Sequence, residues 1–252
     1  MFPRMDWYIG TDRSDRILLD RRVIPGAPKA MKGLRAVFAS DFHLRRNVSP
    51  GPVVDLIRSC DADLILFGGD FADTDDQALR LFESFRSLRA PLGMYAAIGN
   101  NDAEAFSSVP ALRQALRKCG VKLLVNESVQ LNGFSIGGAD EYKYGSGSAK
   151  GLFSGRSGYR ILISHYPVLS GVSADLVLSG HTHGGQFNAL GLTPYAIGYE
   201  QIGVPHSRRP AAVSGMHEID GVRLLVSKGL GISRIPLRIG ARPEIHLLEF
   251  DC

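Results

Sequence analysis

The sequence predicts an α/β fold on three observations. Short apolar runs alternate with stretches whose apolar residues recur at helical spacing, turn residues close the runs, and a polar residue recurs just beyond them. Five runs, at 34–39, 64–67, 94–98, 159–163 and 176–178, are each followed within three residues by Asp, Asn or His. Ligands bind outside the carboxyl ends of the strands in open α/β sheets, so five such ends can converge on one crevice.

At 252 residues and 27.3 kDa the chain has the size of one large domain, 1–252, with a substantial core. Hydrophobic residues make up 44% and charged residues 21%, too apolar a mixture for disorder. The net charge of +4 is small and not gathered into a tract, so it favours anionic substrates without indicating nucleic acid. Cys60, Cys119 and Cys252 are odd in number and widely spaced, which fits neither a disulfide framework nor a zinc knuckle; a reducing, cytoplasmic setting is expected. Residues 1–19 intersperse Arg4, Asp6, Asp12, Arg13, Asp15 and Arg16, unlike a signal peptide, and no run of about 18 apolar residues could span a bilayer. A soluble protein is expected, with peripheral contact at a membrane left open.

Taken in order, residues 16–24 alternate as an edge strand does, and Pro25-Gly26-Ala27-Pro28 stops it. The run 34–39 is a buried strand ending at Ser40-Asp41-Phe42-His43. Residues 52–59 read as a helix, and 64–67 as a strand ending in Gly68-Gly69-Asp70. Leu79, Phe82, Phe85 and Leu88 set a helical, core-facing stripe over 75–88. The strand 94–98 ends in Gly99-Asn100-Asn101-Asp102, which has the chemistry of a turn, and the helix 110–118 closes at Cys119-Gly120. Residues 121–136 read as two strands joined around Asn126-Glu127, with a turn at Asn132-Gly133. A long glycine- and serine-rich loop spans 137–158. The strands 159–163 and 176–178 lead to His165 and to Gly180-His181-Thr182-His183, and 222–227 and 244–250 are closing strands. The long glycine-, proline- and aromatic-containing segment 187–209 carries His206, Arg208 and Arg209, and its part 187–205 is either ordinary core packing or a lid or groove for a lipid-bearing substrate.

Asp41, His43, Asp70, Asn100, His165, His181 and His183 thus converge, using four of the seven histidines. Two histidines two apart at a strand end send their rings to one side. A set of nitrogen and oxygen donors without cysteine suits divalent manganese, iron, zinc or cobalt. Asp73 reads as a cap or an orienting carboxylate, and His206, His217 and His246 as structural or exposed. Arg45 and Arg46 either clamp a substrate phosphate or belong to a solvated loop.

These blocks carry a resemblance. Asp-x-His, Gly-Asp-x-x-Asp, Gly-Asn-x-Asp, a lone His after a strand, and Gly-His-x-His, in that order, resemble the calcineurin-like metallophosphoesterases from about Leu34 to Gly185. Residues 229–250 resemble the closing strands of bacterial members. The resemblance implies two packed mixed β-sheets flanked by helices, in four layers. It also implies that Asp41, His43 and His183 hold a first metal ion, that Asn100, His165 and His181 hold a second, and that Asp70 bridges them. Manganese is the first expectation for both. Such a pair attracts phosphate and brings the pKa of a bound water toward neutrality, so that hydroxide can attack phosphorus in line.

One position departs from the pattern. The family usually has His between Asn and Asp; here it is Asn101, with Asp102 beside it where the family's acid orients that histidine. An asparagine donates a hydrogen bond but delivers no proton, and general acid catalysis is typically worth about 10²–10⁴-fold. The expectation is a phosphodiesterase or pyrophosphatase acting on a small or lipid-linked phosphate compound. UDP-2,3-diacylglucosamine pyrophosphatases of lipid A synthesis, similar in lacking that histidine, and a non-catalytic interaction scaffold are the alternatives. Amidohydrolases also use His-x-His, but early in the chain; here the pair comes last.

Overall fold

The computed structural model describes residues 9–10, 16–146, 149–167, 171, 173–188, 193, 211–232 and 237–252. Its first sheet is built on the strands β2 (Leu18–Ile24), β3 (Arg35–Ala39), β4 (Leu64–Phe67), β5 (Met94–Ala96), β6 (Val121–Leu123) and β14 (Glu244–Phe250), in the order β2-β14-β3-β4-β5-β6. β3 to β6 run parallel, and β14 lies antiparallel to β3. The second sheet contains β7 (Glu127–Gln130), β8 (Phe134–Gly138), β9 (Tyr159–Ile163), β10 (Leu176–Ser179), β11 (Gly215–Ile219) and β12 (Val222–Val226), ordered β11-β12-β10-β9-β8-β7. β8, β9, β10 and β12 are parallel, with antiparallel strands at both edges. A two-stranded ribbon pairs β1 (Ile9–Gly10) with β13 (Arg238–Ile239).

The two-residue period of the strands decides the layers. Ala36, Phe38, Leu64 and Leu66 point one way and meet Ile136, Ile161, Ile163, Leu176 and Leu178 of the second sheet. Val37, Ala39, Ile65 and Phe67 point the other way, onto α1 (Gly51–Ser59), α2 (Asp75–Phe85) and α4 (Val109–Arg117). Runs buried on both faces read as continuous apolar stretches, as these do. Leu162, Val177, Leu224 and Val226 pack against Ala149 and Phe153, which lie on consecutive turns. The two packed mixed sheets with flanking helices are those expected.

Thr74 and Ser108 cap α2 and α4 by accepting the N–H groups of Gln77 and Ala111. Phe82 and Phe85 of α2 and Leu88 beyond it are buried as expected, together with Ala78 and Leu81, whereas Leu79 is 46% exposed. Residues 121–136 hold β6, β7 and the start of β8, with the expected turn at Asn132-Gly133 separating β7 from β8, which continues to pair Gly138 with Glu127 and Gly137 with Ser128. The turn expected at 99–102 opens a helix, α3 (Asn100–Ala105), since the Asp102 carboxylate accepts the Gly99 N–H and starts it. β11 was not expected. His246 is wholly buried and His217 exposed, while most of 187–209, with His206, lies outside the described residues.

Candidate metal centre

The parallel strands of both sheets deliver their carboxyl ends to one edge of the sandwich. Asp41 Oδ1 and Oδ2 lie 2.9 and 3.1 Å from the His181 N–H, which ties the end of β3 to the end of β10. Gly180 permits that approach, because a Cβ there would overlap Asp41 Oδ2 and Ser40 Oγ. Asp41, His43, Asp70, His181 and His183 all have positive φ, between 38° and 68°. Left-handed backbone is unfavourable for residues with a Cβ, by about 1–3 kcal/mol each where strained, and it clusters at functional sites. Here it turns five side chains inward.

Two groups of donors result. Asp41, His43 and His183 form one, and Asp41, Asp70 and His165 the other, with donor atoms in each within 4.8 Å of one another. Asp41 is common to both groups, and Asp70 Oδ2 of the second also approaches the first, lying 3.5 Å from His43 Nε2 and 3.3 Å from His165 Nε2. His183 Nε2 is 3.6 Å from Asp41 Oδ1. On the far side, His181 Nδ1 lies 3.0 Å from Asn100 Oδ1 and 3.3 Å from His165 Nε2. All seven residues expected from the sequence are therefore gathered in one place.

Outer contacts aim the rings. His165 Nδ1 donates to the Gly68 carbonyl at 2.8 Å, and His43 Nδ1 is 3.0 Å from Asp73 Oδ1, so each ring presents Nε2 inward. Asp73 thus stands against the outer nitrogen of His43. The donors fit divalent cations on an observation of their own: His43 Nε2 is buried with no hydrogen-bond partner. Asp41 and Asp70 are buried carboxylates whose ion pairs, among the described residues, are all with histidines. Burial pushes Asp41 up, whereas Asp70, despite burial, is held below the usual carboxylate range by His165, His43 and His181. His181 is pushed down to about 3 by burial and by His165, and His183 is lowered by burial and His43. Both rings are therefore neutral, the form that binds metals, whereas His165, raised despite burial to about 10 by Asp70, and His43, raised despite burial by Asp73 and Asp70, would give up a proton to a bound cation.

Asn101 lies beside this set. Its Nδ2 donates to Asp73 Oδ1 at 3.1 Å, and its Oδ1 accepts from Asn100 Nδ2 at 2.7 Å, which turns Asn100 Oδ1 toward His181. Asp102 is wholly buried and accepts the N–H groups of Asp70, Phe71 and Gly99, so its carboxylate holds backbone. Arg45 is half-buried near Asp73 and donates to the Ile232 carbonyl at 3.3 Å, while Arg46 is exposed. Arg80 fixes their loop by donating to the carbonyls of Arg45, Arg46 and Val48. Two participants were not foreseen: Tyr166, whose ring lies 4.5 Å from that of His181, and Arg238, against His183. A lone arginine in the apolar 235–239 was the available signal for the second.

The family profile of the calcineurin-like phosphoesterases matches residues 34–185, more than half of the chain. The chain belongs to that family. This metallophosphoesterase is 29% identical over 233 residues to the uncharacterized metallophosphoesterase YkoQ of Bacillus subtilis, covering 86% of this chain and 83% of the relative. It is 28% identical over 238 residues to an uncharacterized metallophosphoesterase of Aquifex aeolicus, covering 85% and 84% of the two chains. A Danio rerio transmembrane protein with metallophosphoesterase domain is 25% identical over 245 residues, which are 86% of this chain and 53% of the relative. Among the described residues of this metallophosphoesterase no helix is long and apolar enough to cross a membrane.

Proposed function

We propose that this chain is a two-metal phosphoric ester hydrolase that cleaves a phosphodiester or a pyrophosphate. The observation that carries the reading is Asp70 Oδ2, which faces His43 of one donor group and His165 of the other at 3.5 and 3.3 Å. A two-metal centre needs an anion in that position to hold cations about 3.5–4 Å apart. Asp41, His43 and His183 hold the first ion, and Asn100, His165 and His181 the second, with manganese the metal proposed. Bound there, the pair supplies Lewis acidity to the phosphoryl group and to the attacking water. Four of the seven ligands are imidazoles, which hold a cation in the neutral form, and one is a neutral amide, so two carboxylates against two divalent ions leave the site cationic and attractive to phosphate.

No side chain here is a nucleophile. Asn101 has no proton to give, and its amide is already tied to Asp73 and Asn100, so a leaving group departs without protonation from this position. That favours phosphate and nucleotide leaving groups over simple alkoxides. Arg45, held beside Asp73, supplies a guanidinium for a further phosphate oxygen. The free thiols of Cys60, Cys119 and Cys252 support a cytoplasmic setting.

The test is manganese-dependent hydrolysis of bis(p-nitrophenyl) phosphate beside p-nitrophenyl phosphate, with and without chelator. Chelator-sensitive cleavage of the diester, with the monoester slower, is the expected result. Protein shown to hold two ions that cleaves neither ester would favour an interaction scaffold.

A further inference from the structure

The loop that follows β8 leaves the sandwich at the edge that carries the donor groups. The Ala139 N–H donates to the Ile163 carbonyl at 2.9 Å, so the loop starts beside the strand end that leads to His165. Its own acids fix its shape. Glu141 is buried, and its carboxylate accepts the N–H groups of Lys143 at 2.8 Å and Tyr144 at 2.6 Å. Asp140 accepts those of Glu141 and Ser146, each at 2.8 Å. The Tyr142 ring stacks on Tyr166 at 5.0 Å, and the Tyr166 ring lies 4.5 Å from that of His181. A firm turn is thus set against the histidines of the second ion.

Two side chains of that turn close on α3. Lys143 Nζ lies 3.1 Å from Glu104 Oε1 and 4.5 Å from the centre of the Tyr144 ring, and the Tyr144 hydroxyl donates to the same Glu104 oxygen. Glu104 comes three residues after Asn101 on the helix, and residues three apart share a face with Cβ atoms about 5–6 Å apart. The Lys143 ammonium therefore stands about one helical turn beyond Asn101. It is felt at the ligands as well: after burial and His165, the charge of Lys143 is among those that lower His181. The ion pair is easily left, since its side chains are 59% and 50% exposed and exposed pairs hold weakly.

We propose that Lys143 is a specificity-determining residue that binds the second phosphate of a pyrophosphate substrate, a role that rests on the two-metal hydrolase reading. Hydrolysis of a pyrophosphate diester forms a bond from the water oxygen to the first phosphorus and breaks the bridging bond on that side. The electron pair stays on the second phosphate, whose negative charge grows by a unit, and both water protons pass to solvent. Asn101 has no proton to offset that charge. An ammonium that turns from Glu104 to the departing oxygen offsets it with no proton transferred. A diester with a single phosphate offers that ammonium no second anion.

The experiment uses manganese-loaded wild type, Lys143→Gln, Lys143→Arg and Glu104→Gln, with dimethyl phosphate and symmetrical dimethyl pyrophosphate as probes and calorimetry as the readout. Bound manganese is counted first, and wild type with fewer than two ions overturns the two-metal reading and this role with it. With two ions bound, wild type should hold the pyrophosphate about tenfold more tightly than the phosphate. Lys143→Gln should lose about that factor, Lys143→Arg should keep most of it, and Glu104→Gln should bind the pyrophosphate no less tightly than wild type, because the ammonium is released. Lys143 is exposed, so its replacement tests the charge and not the core. Two ions together with a wild type indifferent to the second phosphate, or with an unchanged Lys143→Gln, overturn the role of Lys143 alone. So does weakening by both Lys143→Gln and Glu104→Gln, since a clasp that only shapes the loop loses the same thing from either half.

Discussion

Asp102 holds Asp70 by its backbone: Asp102 Oδ2 accepts the Asp70 N–H at 2.8 Å, and Oδ1 accepts the Phe71 N–H at 2.9 Å. The Asp70 carboxylate is thereby fixed from the chain outward, and its Oδ1 in turn accepts the Asn101 N–H at 2.8 Å. Replacing Asp102 with Ala leaves three buried N–H groups without their acceptor, at a cost of about 1–3 kcal/mol each by the usual penalty. Urea unfolding should show a lowered midpoint, with Asp102→Asn intermediate because one acceptor oxygen survives. An unchanged midpoint for the alanine variant would refute the role.

Asn101→His should restore a proton donor beside the leaving group. Asp73, 3.1 Å from the Asn101 amide, stands where it can orient an imidazole. Hydrolysis of alkyl phosphodiesters is expected to rise on the order of 10²-fold, and that of nitrophenyl esters little, since their leaving group needs no protonation. Equal change in both rates would sink the explanation.

Manganese should stabilise the fold. Ligands that bind only the native state raise stability by about 2.7 kcal/mol at 100 times their Kd. Thermal scans with rising manganese should therefore move the midpoint upward, and chelator should return it. His165→Ala, which removes a donor near Asp70, should reduce the shift. A wild-type midpoint indifferent to manganese is the contrary result.

A pH dependence comes from His246, which stacks on Phe38, lies 2.9 Å from Asp20 Oδ2 and is 3.4 Å from Glu244 Oε1. Burial lowers its affinity for a proton, but Asp20 and Glu244 outweigh that and raise its pKa above 6.5. A raised histidine contributes stability that is complete below about 6.5 and is lost as pH rises through the higher folded value. Glu244, which also pairs with Lys228 at 2.9 Å, is lowered to about 2 despite burial, by His246 first. Its contribution is complete above 4.5 and is lost as pH falls toward 2. Unfolding midpoints should therefore fall on both sides of a plateau from about 4.5 to 6.5, and His246→Gln should abolish the alkaline fall. A variant with the wild-type alkaline limb would assign it elsewhere.

The ends of β3, β4, β5, β9 and β10 were legible because burial on both faces leaves a continuous apolar run, and the polar residue after it stands out. That Asp41, His43, Asp70, Asn100, His165, His181 and His183 would gather in one place followed from residue type and position. What failed to show was geometry carried by backbone: the left-handed turns at His43 and His183 leave no mark in composition, since histidine has no preference that demands them. α3 was hidden for a related reason, because Asn100-Asn101-Asp102 satisfies a turn and a helix start equally well. Only Leu79 departed from the expected stripe on α2, because Leu79 and Leu81 are indistinguishable by type and only packing separates the exposed one from the buried one. Arg238 was missed because charge suggests solvent, and a buried arginine is recognised only by the carbonyls around it.

Gly180 and Gly231 bring no donor atom to the centre, yet each occupies a place where the first added carbon would collide with the Asp41–His43 stretch. In a library of every single substitution, these two positions should tolerate as little as the ligands themselves. Their fitness profiles would differ in kind, for a ligand can be partly replaced by another donor, whereas a filled volume admits nothing. A survey of the centre that weighed only chemistry would leave out residues such as these, whose contribution is to be empty.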